Sequence, residues 1–228
     1  MMERKTPLIE GEYFHIYNRG VDKREIFLDS HDYNRFLMLM YLCNSTKPVD
    51  IRAIFYEGRT FVEIFYLDLG AKIVDIGAWV LMPNHFHMVL KSKQENGITE
   101  FLRKVCTGYS SYFNKKHERS GALFQSKFKS EHVTDDIYLK YLFSYVHLNP
   151  VKLIPGEGMW KEVGLKNKNN AESFIKKYKY SSLLDYFGEE RIYKTIINKS
   201  LSLDIHDDFN QMITNMFDWL NFTKVGPS

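Results

Sequence analysis

The chain has 228 residues, of which 44% are hydrophobic, 15% aromatic and 26% charged, with 13 Gly and 6 Pro; this is a globular composition and excludes disorder or a fibrous repeat as the dominant state. Its length suits one sizeable domain, or a core domain plus an appendage, and excludes a large multidomain assembly. The formal net charge is only +3, but residues 91–180 hold 17 Lys and Arg against 9 Asp and Glu, while the rest of the chain holds 14 against 19. No apolar run approaches the roughly 20 residues needed to cross a bilayer, and residues 1–11 are polar and mixed in charge, so we expect a cytoplasmic protein without a membrane partner. Two cysteines far apart in sequence, Cys43 and Cys106, can make neither a disulfide framework nor a thiolate zinc site by themselves, which suits a reducing compartment.

In chain order, residues 13–18 (YFHIYN) are β-prone and lead, past Arg19-Gly20, to a helix start at Asp29-Ser30. Helical spacing of Phe36, Leu37, Leu39, Met40 and Cys43 predicts a helix over 31–44, broken by Lys47-Pro48. Residues 51–68 alternate around Glu57-Gly58 and read as a hairpin. Residues 71–82 and 85–91 are two β-rich runs separated by Pro83-Asn84, and predict adjacent antiparallel strands. A long amphipathic helix follows over 97–118, then a short β-rich stretch over 123–133. Thr134-Asp135-Asp136 caps a helix over 137–148 that must stop near Pro150. Residues 161–170 read as a polar, basic loop, and two more helical patterns lie around 182–187 and 207–220. Strands interleaved with helices, with one directly joined strand pair, predict an α+β sandwich on an antiparallel sheet rather than a doubly wound parallel sheet.

Two constellations could carry chemistry. His85 and His87 are two apart on a strand and therefore face the same way. Two imidazoles on one face can share a divalent cation and leave positions open, although two satisfied surface histidines share that spacing. Tyr145 and Asn149 are four apart on a helix and so share a face. In a chain with 15 tyrosines, such a pair is by itself more often structural. Together the two constellations suit phosphodiester transesterification, in which a phenolate attacks a DNA phosphate and charge develops beside a metal. The basic residues interleaved with aromatics, as in Tyr109 to Lys116 and Phe124 to Lys129, suit a nucleic-acid surface, or simply a solvated basic face.

Four segments, Tyr13 to Gly20 (YFHIYNRG), Leu81 to His87 (LMPNHFH), Gly121 to Lys127 (GALFQSK) and Tyr145 to Val151 (YVHLNPV), resemble in order and spacing the successive signatures of the single-tyrosine HUH transposases. Within that family they look most like the branch near the REP-associated tyrosine transposases, which has Asn rather than Gln four residues after the tyrosine. The resemblance covers roughly residues 8–190, read as one catalytic domain, with 191–228 as a helical C-terminal appendage. It implies a ferredoxin-like α+β sandwich with the histidine pair on a central strand of an antiparallel sheet and the tyrosine on a nearby helix. By match of motif, Tyr145 is the nucleophile, and His85, His87 and Asn149 hold Mg²⁺ or Mn²⁺. The implied activity is cleavage of single-stranded DNA near a hairpin, with a 5′-phosphotyrosine intermediate and a free 3′ hydroxyl. For the DNA surface, Arg19, Lys91, Arg103, Lys104, Lys127 and Lys129 lie near the motif segments and are candidate backbone contacts. His15, His132 and His147 are left as core or surface histidines, and Gln125 has no assigned role. The resemblance leaves both a monomer and a homodimer open. Two competing readings are a domesticated DNA- or RNA-binding protein that no longer cleaves, and a metal-site hydrolase in which Tyr145 is structural.

Overall fold

The computed structural model describes residues 7–203, 209–218 and 220. The chain enters through strand β1 (Tyr13–Arg19) and a 3-10 turn (Val21–Lys23) into helix α1 (Ser30–Leu42). The Asp29 side chain accepts from the Asp32 amide and caps that helix. Two short helices, α2 (Ile51–Tyr56) and α3 (Phe61–Ile64), precede the antiparallel pair β2 (Val74–Met82) and β3 (His85–Ser92). Helix α4 (Gly97–Lys116) and strand β4 (Lys129–His132) complete a β-α-β-β-α-β unit. The sheet order is β2-β3-β1-β4, with every neighbouring pair antiparallel. This is the expected α+β, ferredoxin-like arrangement, and β3 is a central strand.

Alternation along the strands gives the sheet two different faces. Phe14, Ile16, Phe86, Met88 and Leu90 are fully buried on the face that receives α1 and α4: Phe36 of α1 meets Phe86 at a tilt and Tyr109 of α4 edge-on. Each large apolar side chain buried there contributes about 1.5–3 kcal/mol. The opposite face, which carries the odd-numbered residues of β1 and β3, is covered by α5 (Asp136–Leu148), packed on β2 and β3. Asp135 caps α5 by accepting from the Tyr138 amide. The helix does not simply end before Pro150: Asn149 keeps helical dihedrals and the chain tightens into a 3-10 turn over Asn149–Leu153, where proline needs no amide donor.

After that turn come α6 (Trp160–Val163), α7 (Lys168–Ile175), α8 (Leu183–Tyr186), a 3-10 turn (Ile192–Thr195), α9 (Ser200–Leu203) and α10 (Phe209–Asp218). Leu148, Val151, Trp160, Ala171, Ile175, Leu183, Met216 and Leu220 form a second apolar cluster beneath them. Ile196, Ile197 and Met212 join the main core.

Three expectations need correction. Residues 51–68 are two helices, not a hairpin, because local capping decides the matter. Asp50 Oδ1 accepts from the amides of Arg52 and Ala53, and Thr60 and Glu63 cap each other reciprocally. Phe61, Ile64 and Phe65 then pack inward at helical spacing. Residues 161–170 are not a continuous loop either: Lys161 lies in α6, and Asn167 caps α7 by accepting from the Asn170 amide. In the stretch 123–133 only Lys129–His132 pairs as a strand, while Phe124 makes an isolated bridge to Gly20. The expected helix over 207–220 is α10, and residues 207, 208 and 219 lie outside the described ones.

Candidate active site

His85 and His87 project from β3 toward α5, their rings 5.1 Å apart. His85 Nδ1 lies 2.6 Å from Asn84 Oδ1. An amide oxygen only accepts, so the neutral ring carries its proton on Nδ1 and leaves a lone pair on Nε2. His87 Nδ1 lies 2.9 Å from His15 Nε2, and His15 Nδ1 faces Glu131 Oε2 at 3.5 Å. One proton order suits this row: His87 Nδ1–H donates to His15 Nε2, and the His15 proton then sits on Nδ1, on the side of the Glu131 carboxylate but without a formed hydrogen bond to it. That order again frees Nε2 of His87. Burial, Lys152 and Arg19 hold the His85 pKa down to about 4, against a weaker opposing pull from Asn149. Burial and the neighbouring His15 and His85 hold His87 well below the ordinary histidine value. Both rings are therefore neutral at pH 7, the state that can ligate a cation.

Tyr145 reaches the same place from α5. Its ring meets His87 edge-on at 5.4 Å and His15 at 5.7 Å. Burial raises its pKa, with Asn149 acting in the opposite sense, so it rests as a phenol. Asn149 is fully buried and close enough to His85 and Tyr145 to pull on both, yet neither its Oδ1 nor its Nδ2 makes a well-formed hydrogen bond. A buried carboxamide without partners costs about 1–3 kcal/mol, which an added ligand would relieve. Two Nε2 lone pairs and an unpaired amide oxygen fit a divalent cation. Among the described residues no group of three His, Cys, Asp or Glu is arranged to hold a metal.

The structure thus brings His85, His87, Tyr145 and Asn149 together within one chain. A cavity of about 390 Å³ beside the histidines is lined by Arg19, Lys129, Lys152, Gln125 and Asn84, among others. Arg19 donates from Nε to Gln125 Oε1 at 2.8 Å, which gives Gln125 a role. Exposed Lys127 belongs to the segment that walls this cavity. Lys91 sits at the far end of β3, about 20 Å from His85 along the strand, with its ammonium over the Tyr13 ring. Arg103 and Lys104 are on α4, across the sheet from the site, and Lys104 pairs with Glu100; they are not brought to it.

Sequence reasoning missed His15, Glu131, Lys152 and Lys161. His15 is a site residue only because β1 pairs with β3 in the register that opposes Tyr17 to His87. Glu131 accepts from Tyr17 at 2.8 Å and Tyr138 at 3.2 Å. Contacts with His15, then with the two phenols, hold its carboxyl down to about 2, and both phenols are pushed up to about 12 by burial and this carboxylate. His147, by contrast, is a core histidine, hydrogen-bonded to Ser182 Oγ at 2.8 Å. His132 lies beside Glu12 on β4.

Residues 59–149, a segment that contains both histidines, Tyr145 and Asn149, match the family model described as IS200-like transposase. The fold is similar to that of a solved REP-associated tyrosine transposase bound to a REP hairpin, with a TM-score of 0.50 and 13% identity over 84% of this chain and 90% of that one. No curated protein matches the sequence. Among the described residues no helix is long and apolar enough to cross a membrane.

Proposed function

We propose that this chain, whose residues 59–149 match the IS200-like transposase family, acts as such a transposase and cleaves and rejoins single-stranded DNA in the cytoplasm through Tyr145. In that reaction Tyr145 Oη gives up its phenol proton and attacks a backbone phosphorus, and the bond from phosphorus to O3′ breaks. A 5′-phosphotyrosine forms, and the departing oxygen takes a proton to become a 3′ hydroxyl. The observation that carries this reading is the meeting of Tyr145 with His87 beside a buried, unpartnered Asn149. A structural tyrosine would need none of that.

His85, His87 and Asn149 are the residues that would hold Mg²⁺ or Mn²⁺, which when bound supplies Lewis-acid polarisation of a phosphate oxygen. The chain itself does the rest. His15 and Asn84 fix the tautomers of the two imidazoles, α5 aims the phenol, and Arg19 and Lys129 line the cavity where a DNA backbone would run. Hairpin recognition is supported by the solved neighbour, which holds a REP hairpin.

The test is incubation with Mn²⁺ and labelled single-stranded hairpins, followed by a denaturing gel. An adduct that requires metal and maps to Tyr145 is the expected result. Tyr145→Phe should abolish the adduct and cleavage while DNA binding stays within about twofold, because only a hydroxyl is removed. Retained cleavage by that variant would sink the reading in favour of hydrolysis by water.

A further inference from the structure

Two lysines outside every motif stand at Tyr145. Lys161, in α6, has its Nζ 3.6 Å from the centroid of the Tyr145 ring, and Lys152, on the turn after α5, has its Nζ 5.8 Å from the same centroid. Both side chains are partly buried. Glu162 attracts both, yet neither forms an ion pair among the described residues. The approach of Lys161 is fixed from below, since its neighbour Trp160 is 5% exposed and packed in the second cluster with Leu148 and Val151. Lys152 also lines the cavity that holds His85, His87, Arg19 and Lys129, so it joins that cavity to the tyrosine.

Two ammonium groups drawn out of water beside each other, with no carboxylate paired to either, are an unfavourable arrangement, because each loses hydration and repels the other. The effect is visible in both groups: burial, then the charge of Lys152, holds Lys161 down to about 7, and burial lowers Lys152. An anion seated between the lysines, the phenol and the histidines would relieve it. Neither lysine is needed to hold a cation or to carry the phosphotyrosine, so the metal and nucleophile assignments leave their placement unexplained.

We propose that Lys161 and Lys152 form the seat of a DNA backbone phosphate beside Tyr145, with Lys161 also holding the ring face of the nucleophile. This rests on the reading of the site as one for single-stranded DNA, and it adds two phosphate-binding residues that lie outside the four sequence signatures. The ammonium of Lys161 stands over the ring, where it braces the phenol and offers charge to the phosphate.

The measurement is the salt dependence of binding to a fluorescein-labelled DNA hairpin with single-stranded flanks, by anisotropy, in the full chain carrying Tyr145→Phe and without divalent metal. Each phosphate neutralised on a single strand contributes about −0.7 to the slope of log K against log salt. Lys161→Met and Lys152→Met should each make the slope shallower, by up to that amount, and weaken binding several-fold at low salt. Lys161→Arg should restore the slope. Lys161→Met removes a poorly solvated charge and should melt no lower than its parent, which separates lost binding from lost fold. Slopes unchanged in both Met variants would overturn the seat, even if the wild-type chain forms the Tyr145 adduct. Shallower slopes with no adduct from any hairpin in Mn²⁺ would leave the seat standing and remove the cleavage reading.

Discussion

At His87 the usefulness of one ring nitrogen depends on the partner of the other. His15 Nε2 stands 2.9 Å from His87 Nδ1, and Glu131 stands behind His15. If His15 were turned to donate toward His87, the proton of His87 would move to Nε2 and close the lone pair needed for a cation. Outer partners of this kind typically change metal affinity 10–100-fold. Glu131→Gln and His15→Gln are therefore expected to weaken Mn²⁺ binding by about that factor, measured without DNA from the electron paramagnetic resonance signal of free Mn²⁺. Equal affinity in both variants would show that the row does not position His87. That His85 and His87 share one face was legible from spacing, since strand alternation is local. His15 and Glu131 were not, because each joins the site through a cross-strand register that no local pattern encodes.

Helix α5 carries Tyr145, and how closely it lies on the sheet is set at one glycine of β2. A Cβ added at Gly77 would stand 2.8 Å from Phe143 Cζ, so the missing side chain is what lets α5 settle. The β2–β3 register shifts at this point, between Ile76 and Ala78. Gly77→Ala should cost about 1–3 kcal/mol by overpacking, read by urea unfolding, and should lower adduct yield by lifting the tyrosine. Gly77→Ala with Phe143→Leu should recover part of both losses; no recovery would place the strain elsewhere. The helices α1 and α5 were legible because cap and apolar period agree, and α4 because its apolar period runs over 20 residues. The short α2, α3 and α6 were misread because four to six residues hold too few periods to separate helix from strand. The second apolar cluster beneath α6 and α7 gathers Trp160 with Met216 and Leu220, residues too distant in sequence for any periodic signal. That is why Lys161 read as a loop charge rather than a neighbour of Tyr145.

Over the whole molecule the sheet works as a partition. One face is sealed by α1 and α4 around phenylalanines, and the other holds the histidines under α5, so a basic residue's value to the site depends on the layer that carries it. The excess of positive charge over residues 91–180 is spread across both layers: α4 takes Arg103 and Lys104 to the sealed side, where Lys104 pairs with Glu100. Arg19 and Lys129 instead line the cavity at the histidines. Contacts to the backbone of single-stranded DNA fall off over about a Debye length, roughly 8 Å at physiological salt, shorter than the thickness of a sheet and its helical layer, about 10 Å or more. In the Tyr145→Phe chain, Arg19→Ala and Lys129→Ala should each weaken hairpin binding several-fold at about 0.15 M salt, whereas the double variant Arg103→Ala/Lys104→Ala should stay within twofold. Anisotropy titrations measure both. A loss on the α4 side equal to that at the cavity would mean that the strand wraps the molecule, or that its main contact lies on the face away from Tyr145. Either outcome would remove the link between the position of charge and the position of Tyr145.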